Sequence, residues 1–226
     1  NDFVLERAEA VAEEIKALGV PAIAVQADVG DHASVKAAMD AARAALGPVT
    51  LLVNNAGNAG PSAQMGYSPQ FWETDPADWN RFFHTNLNGV MNCCHLAMAD
   101  MVQVGKGRIV TVVSDSGRIG EARLAVYSAA KAGAAGLMRS LAKEGGRFGI
   151  TANAISLSTL EPLMEPEKLE EFYAHERVKS QLSRYTIRRF GKSSDVANMA
   201  LFLCSDAAAW ITGQTYPVNG GYSFTQ

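Results

Sequence analysis

The sequence predicts an α/β fold of three layers, in which helices cover both faces of a doubly wound parallel sheet. Short apolar runs alternate along the 226 residues with segments of ten or more residues whose apolar side chains recur at helical spacing. Parallel strands joined in this way need right-handed helical crossovers. Because neither an internal repeat nor a linker is apparent, a single domain over residues 1–226 is predicted.

The first half begins with an amphipathic helix, residues 5–18, which Gly19-Val20-Pro21 ends. A short buried strand is expected at residues 22–25 and a second helix at 34–46, stopped by Gly47-Pro48. The next strand, 49–53, is followed by Asn54-Asn55-Ala56-Gly57. Asp75-Pro76 then opens a long apolar helix that is expected to run to about residue 104.

The second half of the chain repeats this alternation of helices and strands. Strands are expected at residues 108–113, 150–155 and 215–218, and helices at residues 126–142 and 195–204. Residues 157–190 are expected to form a mobile substrate loop, whose charged part at 166–189 is helical. Met65, Tyr67, Phe71 and Trp72 are expected to wall the substrate pocket, or else to make subunit contacts or simple surface packing.

The composition excludes several classes of protein. With 48% apolar and 19% charged residues the chain is not expected to be disordered. A net charge of −3 argues against a nucleic-acid partner, and no apolar run reaches the ~18–20 residues of a membrane span. Three cysteines are too few for a disulfide framework, which indicates a cytoplasmic protein. The histidines lack metal-ligand spacing, so no metal site is predicted.

Polar residues follow several of the predicted strands. Asp28, Asn54 and Ser114 each stand in apolar or small surroundings just beyond a strand. Each alone would be interpreted as a cap or turn residue. Because ligands of doubly wound sheets bind outside the carboxyl ends of the strands, their common location indicates a binding site there.

Tyr127 and Lys131 stand four residues apart, and therefore on one face of the predicted helix. A neighbouring ammonium favours the phenolate and is expected to lower the pKa of Tyr127, as a general acid or base near neutral pH requires. An exposed surface pair is the alternative. Ser114, thirteen residues earlier, adds a hydroxyl beside the phenol, and Asn86 places an amide inside a helix where it is a mediocre helix former.

These residues resemble the classical short-chain dehydrogenases/reductases over essentially the whole chain. The motifs that carry the resemblance are Asp28-Val29, Asn54-Asn55-Ala56-Gly57, Asn86, Ser114, Tyr127-x-x-x-Lys131, Thr212-Gly213-Gln214 and Val218-Asn219-Gly220-Gly221. The resemblance implies a Rossmann-type fold and a homotetramer. It also implies that Tyr127 exchanges the proton with the substrate, Ser114 polarises the substrate oxygen and Asn86 anchors a water of the proton relay.

The resemblance also implies a nicotinamide dinucleotide site. Lys131 would lower the pKa of Tyr127 and, with Tyr127, hold the nicotinamide ribose. Asp28 and Val29 would border the adenine. Asn54, Ala56 and Gly57 would line the adenosine ribose, and Leu160 would offer backbone groups to the carboxamide.

Asp2 bears on the choice of dinucleotide. It precedes Asp28 by 26 residues, which fits the end of the family's second strand. A carboxylate there accepts hydrogen bonds from ribose hydroxyls and repels a 2′-phosphate, so NAD is favoured over NADP. The alternative is an acidic residue that only stabilises the N-terminus of the following helix.

The sequence departs from the family pattern twice. If Asp2 ends the second strand, the first strand and the glycine-rich turn are missing, and we expect an N-terminally incomplete sequence, by about 30–40 residues. After the strand at 150–155, Leu157-Ser158 replaces the usual Pro-Gly, and the family's Thr position holds Pro162. Both differences concern the cofactor side of the predicted site.

The predicted function is NAD(P)-dependent interconversion of a secondary alcohol and a ketone, with Tyr127 as general acid/base and a small molecule as substrate. One alternative is an NADPH-dependent 3-oxoacyl-thioester reductase. The other is a catalytically silent family member that binds a dinucleotide or a partner.

Overall fold

A computed structural model describes residues 1–59 and 69–224. Within this part of the chain the sheet has four strands, β1 (Leu51–Asn54), β2 (Gly107–Ser114), β3 (Ile150–Leu157) and β4 (Thr215–Val218). They pair in that order, and all three pairs are parallel. The described helices are α1 (Leu5–Ala17), α2 (His32–Leu46), α3 (Asn80–Phe83), α4 (Gly89–Val104), α5 (Ser116–Ile119), α6 (Ala125–Gly145), α7 (Pro166–Ala174), α8 (Glu176–Leu182) and α9 (Ser193–Cys204).

The predicted three-layer α/β fold is confirmed. Successive side chains of β2 point to opposite faces of the sheet. Ile109 packs into a cluster with Met101 of α4 and Met138 of α6, while its neighbour Val110 packs with Leu203 of α9. The sheet is therefore buried on both faces, as its nearly continuous apolar strands indicate.

The helix predicted from Asp75-Pro76 to about residue 104 is confirmed from residue 80 onward, with a 3₁₀ turn before it and a π-helical turn inside it. A 3₁₀ turn (Pro76–Asp78) and α3 precede a π-helical turn (His84–Asn88), which leads into α4. Asn86, in that turn, donates its side-chain amide to the carbonyls of Phe82 and Asn58, at 2.9 and 2.8 Å. Turns of this kind are frequent at functional sites, and this one faces Ala56-Gly57-Asn58.

The prediction of a strand at residues 22–25 is wrong. The only pairing of this region within the described residues is an isolated parallel bridge between Asp2 and Gln26. A strand needs a hydrogen-bonded neighbour, and β1, the nearest edge, lies across an apolar cleft of about 320 Å³ that Ile23, Val25 and Leu51 help to line. The sequence pattern is that of a strand, but no described strand pairs with it.

The segment 157–190 contains α7 and α8, so its predicted helical character is confirmed. Tyr185 and Phe190 are buried behind these helices, and Leu160 forms a parallel bridge with Gly191. The predicted mobility of the segment stays a prediction. Of the expected pocket wall, Met65 and Tyr67 lie outside the described residues.

None of the helices in the described ranges combines the length and the apolar character that crossing a bilayer would require.

Candidate active site

The carboxyl ends of β2 and β3 meet the first turns of α6 around a cavity of about 270 Å³. Ser114 ends β2, and Tyr127 and Lys131 lie on successive turns of α6. Gly57 and Leu160 close the cavity from the loops that follow β1 and β3. Five of the predicted site residues, from four separate parts of the chain, therefore surround one space.

Tyr127 presents its phenol to the Ser114 hydroxyl, and this hydrogen bond lowers the pKa of the phenol in part. Burial has the larger effect and raises the pKa of Tyr127 above its ordinary value. The predicted lowering by Lys131 is not found. The lysine ammonium stands over the face of the phenol ring, 5.9 Å from its centroid, rather than at the hydroxyl.

Lys131 is a buried cation, with 5% of its surface exposed. Its ammonium donates to the carbonyl of Val112 at 3.0 Å, and desolvation lowers the pKa of Lys131 to about 8. An ammonium carries three donors. One carbonyl satisfies one of them, so the others are directed at the cavity or at groups that enter it.

Asn86 is fully buried and makes three contacts with backbone groups. Besides the two bonds that it donates, its side-chain oxygen accepts from the backbone N–H of Asn58 at 3.2 Å. The predicted role as a water anchor stays a prediction. What the structure adds is that Asn86 fixes the backbone of the loop beside the cavity.

Gly57 sits where a side chain would fill the cavity. A Cβ at this position would stand 3.0 Å from the Asn86 oxygen and 3.1 Å from the Lys131 nitrogen. Because both of those atoms are fixed by other contacts, glycine lets a ligand approach the ammonium along the loop backbone.

Sequence reasoning missed Asp115, which is buried and has four partners. Its carboxylate accepts from Ser156, Asn219 and Ser223 at 2.7, 2.7 and 3.0 Å, and pairs with Arg118 at 2.9 Å. These contacts fix the residue that follows Ser114 to β3 and to the C-terminal segment. The position of Asn219 in Val218-Asn219-Gly220-Gly221 was the available signal.

On the cofactor side, Asp28 pairs with the imidazole of His84 at 3.1 Å and accepts from the N–H of Gly30 at 2.9 Å. The hydrogen bond from His84 holds the pKa of Asp28 below its usual value. Val29 accepts from Asn92 at its carbonyl and lines the apolar cleft beside β1. Neither residue lines the cavity of Tyr127 and Lys131.

The remaining cofactor-binding candidates are also outside the cavity. Asp2 accepts from the N–H of Val4 at 2.8 Å, as a residue that supports the start of α1 would. The Asn54 amide donates to Thr111 at 3.0 Å inside the core. Ala56 lines the cleft beside β1.

Leu157-Ser158, which replaces the Pro-Gly of the family pattern, lies in a turn that Tyr185 holds in place by hydrogen bonds. The Tyr185 phenol shares a hydrogen bond with the Ser158 hydroxyl and accepts from the N–H of Thr159. This turn brings Leu157, Ser158 and Leu160 to the cavity without the Pro-Gly of the family pattern.

The cavity fits the ribose and nicotinamide of a dinucleotide. A buried ammonium with remaining donors suits ribose hydroxyls, and the loop at Gly57 leaves room for a flat ligand. Lys131, Tyr127 and the backbone near Leu160 would hold that part of the molecule. A glycine-rich turn for the pyrophosphate does not occur among the described residues.

Comparison with known proteins identifies the family to which the chain is similar. The family model for "Enoyl-(Acyl carrier protein) reductase" matches residues 2–223. The 3-oxoacyl-[acyl-carrier-protein] reductase FabG of Staphylococcus aureus is 38% identical over 216 residues, 96% of this chain and 83% of the relative. The cis-4-hydroxycyclohexanecarboxylate dehydrogenase of Sinomonas cyclohexanicum is 37% identical over 220 residues, 97% of this chain and 84% of the relative.

Among solved structures, a gluconate 5-dehydrogenase from Burkholderia cenocepacia, in complex with NADP and tartrate, superposes with a TM-score of 0.82. It is 28% identical, and the match covers 96% of this chain and 81% of that chain. Together with the arrangement of Ser114, Tyr127 and Lys131, these matches show that the chain belongs to the classical short-chain dehydrogenase/reductase family of oxidoreductases.

Proposed function

We propose that this chain interconverts a secondary alcohol and a ketone, with a nicotinamide dinucleotide as cofactor. The observation that carries the proposal is the single cavity shared by Ser114, Tyr127 and Lys131 at the carboxyl end of the sheet. A hydroxyl, a phenol and a buried ammonium around one space are suited to polarising a carbonyl and moving a proton to it.

In the reduction direction Ser114 donates a hydrogen bond to the substrate oxygen, and Tyr127 gives that oxygen its proton. The phenol of Tyr127 carries its proton at neutral pH as an ordinary tyrosine does, and burial raises its pKa further. Lys131, whose pKa burial lowers to about 8, lines the same cavity and would hold the ribose of the dinucleotide, while the hydrogen bond from Ser114 favours the phenolate left behind. The bound dinucleotide supplies the hydride chemistry.

The test is reduction of a ketone panel with NADH and NADPH by the wild-type chain and by Ser114→Ala. Loss of one hydrogen-bond donor to the developing oxyanion is expected to lower kcat/KM about 100-fold or more. Ser128→Ala is the matched control, since the Ser128 hydroxyl is buried without a partner in the described structure. Equal activity of Ser114→Ala and wild type would contradict the proposal.

For the dinucleotide we propose NAD, supported by the carboxylate of Asp2 beside the bridge to Gln26. NADP is the competing choice, because the related gluconate 5-dehydrogenase was solved with NADP. Asp2→Ala decides between them. If Asp2 repels a 2′-phosphate, the variant gains NADPH activity relative to NADH, and an unchanged ratio of the two removes the support for NAD.

A 3-oxoacyl-thioester substrate is the second candidate, and the relative FabG favours it. A ketone panel that includes 3-oxobutanoyl-pantetheine distinguishes the two. A higher kcat/KM for the thioester than for simple ketones selects the reductase. A catalytically silent chain is the third outcome, and it requires that no member of the panel is reduced.

Association into a homotetramer in the cytoplasm completes the proposal. The exposed apolar side chains of Leu201 and Trp210, 72% and 100% exposed in the single chain, support a subunit contact. The three free thiols fit a reducing compartment. Light scattering of the purified chain measures the assembly, and Trp210→Ser is expected to weaken it.

A further inference from the structure

A second, larger cavity of about 610 Å³ adjoins the proposed site and shares Ser114 and Tyr127 with it. Its outer wall comes from α8 and the residues that follow, and its apolar lining includes Leu124, Phe172 and Val178. A cavity that adjoins Ser114 and Tyr127 in this way has room for the part of a substrate beyond its reacting carbon.

The charged groups of this cavity are mostly cationic. Arg123, Arg177 and Arg184 line it, together with the carboxylates of Asp115 and Glu121. Asp115 is buried in the network with Arg118, Asn219 and Ser223, so its charge is already compensated. The two tyrosines that line the cavity, Tyr127 and Tyr222, are uncharged at neutral pH, as ordinary tyrosines are, and burial raises their pKa values further.

Glu121 also has a partner, since its carboxylate accepts from the phenol of Tyr222 at 3.0 Å. Arg184 lies on the other side of that tyrosine, with its guanidinium carbon 4.6 Å from the ring centroid. Stacking on Tyr222 orients the guanidinium without using its N–H donors. No carboxylate of the described residues lies within salt-bridge distance of Arg184.

We propose that the substrate carries a carboxylate some way from its reacting carbon and that Arg184, oriented by Tyr222, binds it. This deepens the proposed function, on which it rests. A guanidinium presents parallel N–H groups that match a carboxylate in a bidentate pair, which an ammonium cannot reproduce. The apolar residues that line the same cavity as Tyr127 and Arg184 suit the carbon chain that joins the two ends of such a molecule.

The experiment compares oxo acids with their uncharged esters. The probes are 4-oxopentanoate, 5-oxohexanoate and 6-oxoheptanoate, each with its methyl ester, and kcat/KM for reduction is measured for all six. We expect one chain length to be preferred and its carboxylate to exceed the ester about tenfold to a hundredfold, as for a charged hydrogen-bonded pair. Added salt is expected to reduce this preference.

Arg184→Met is expected to remove the preference by lowering kcat/KM for the acid and leaving that for the ester within about threefold. Arg184→Lys keeps the charge but not the paired donors, and is expected to fall between the two. Arg188→Met is the matched control, because Arg188 binds the carbonyls of Leu182 and Ser183 and does not line the cavity.

Equal kcat/KM for acid and ester, or an equal loss on both with Arg184→Met, would overturn the inference while the oxidoreductase function stands. If none of the probes is reduced, the wider ketone panel decides the proposed function, and calorimetric binding of the three acids to wild type and Arg184→Met decides the inference separately. Binding that is lost with Arg184→Met supports it. Absence of binding to the wild-type chain, or binding that the variant retains, overturns it.

Discussion

The strands β2 and β3 and the strand β1 have similar apolar sequences but very different surroundings. β2 and β3 pair over eight residues, with a helix layer on each face, and nearly all of their residues are buried. In β1, Leu51 and Val53 are 52% and 46% exposed, and its outer edge faces the apolar cleft. Ser114, Tyr127 and Lys131 stand on the well-buried side, whereas most of the cofactor-binding candidates stand on the open side.

The helices show the same contrast. α6 buries a row of small residues against the sheet and supplies Tyr127 and Lys131 at its beginning. α1 and α2 each bury one residue, Ala12 and Val35 respectively. A side chain is held in position when its own element is well packed. The geometry around Tyr127 therefore depends on β2, β3 and α6, and little on the N-terminal segment.

The largest effect is expected from the network behind Ser114. Asp115→Ala removes the acceptor of the buried Ser156 hydroxyl and the carboxylate that pairs with Arg118, and it takes one hydrogen bond from Asn219, which keeps its bonds to Ser223. We expect the free energy of unfolding to fall by about 3–5 kcal/mol in urea denaturation. Asp78→Ala, whose carboxylate is 59% exposed, is expected to change it by less than about 0.5 kcal/mol. Similar small losses for both would show that the well-buried half is not as tightly constrained as its contacts indicate.

The next largest effect on stability is expected from the buried ammonium of Lys131. The pKa of Lys131 is about 8 in the folded chain and 10.5 without burial. Between these values the unfolded chain binds more protons, so stability rises with pH from about 8 to 10.5 and is lowest below 8. Lys131→Met is expected to raise the free energy of unfolding at pH 7 by roughly 3 kcal/mol and to abolish activity. A gain that does not shrink between pH 8 and 10.5 would contradict this origin.

Smaller effects on stability are expected when one valine is truncated on each side of the sheet. Val110, in β2, is fully buried between the layers, and Val53 in β1 is half exposed. Val110→Ala is expected to cost about 1.5 kcal/mol of unfolding free energy, and Val53→Ala less than about 0.5 kcal/mol. Equal costs would indicate that Val53 is buried in solution, because the cleft beside β1 is then filled.

Much of the fold, and the grouping of Ser114, Tyr127 and Lys131 around one cavity, could be predicted from the sequence. The spacing of Tyr127 and Lys131 fixes one helix face, and Ser114 ends an unmistakable apolar strand. These are local signals, carried by helix and strand periodicity.

The rest depends on contacts between distant segments. Asp115 meets Asn219 across 104 residues, and the π-helical turn at Asn86 lies where its side chain bonds the backbone of Asn58, 28 residues away. Residues 22–25 have a strand pattern without a strand's partner. The effect of Lys131 on Tyr127 could not be predicted either, because it depends on whether the ammonium lies at the ring face or at the hydroxyl.

The central claim is that Tyr127 is the proton donor in an oxidoreductase. It is tested most directly by kcat/KM for ketone reduction in the wild-type chain, Tyr127→Phe and the control Tyr216→Phe, which alters a tyrosine of β4 outside the cavities beside Ser114. We expect Tyr127→Phe to lower kcat/KM by about 10²–10⁴ with the fold retained, and Tyr216→Phe to leave it within about threefold. Activity of Tyr127→Phe within about threefold of wild type would contradict the account.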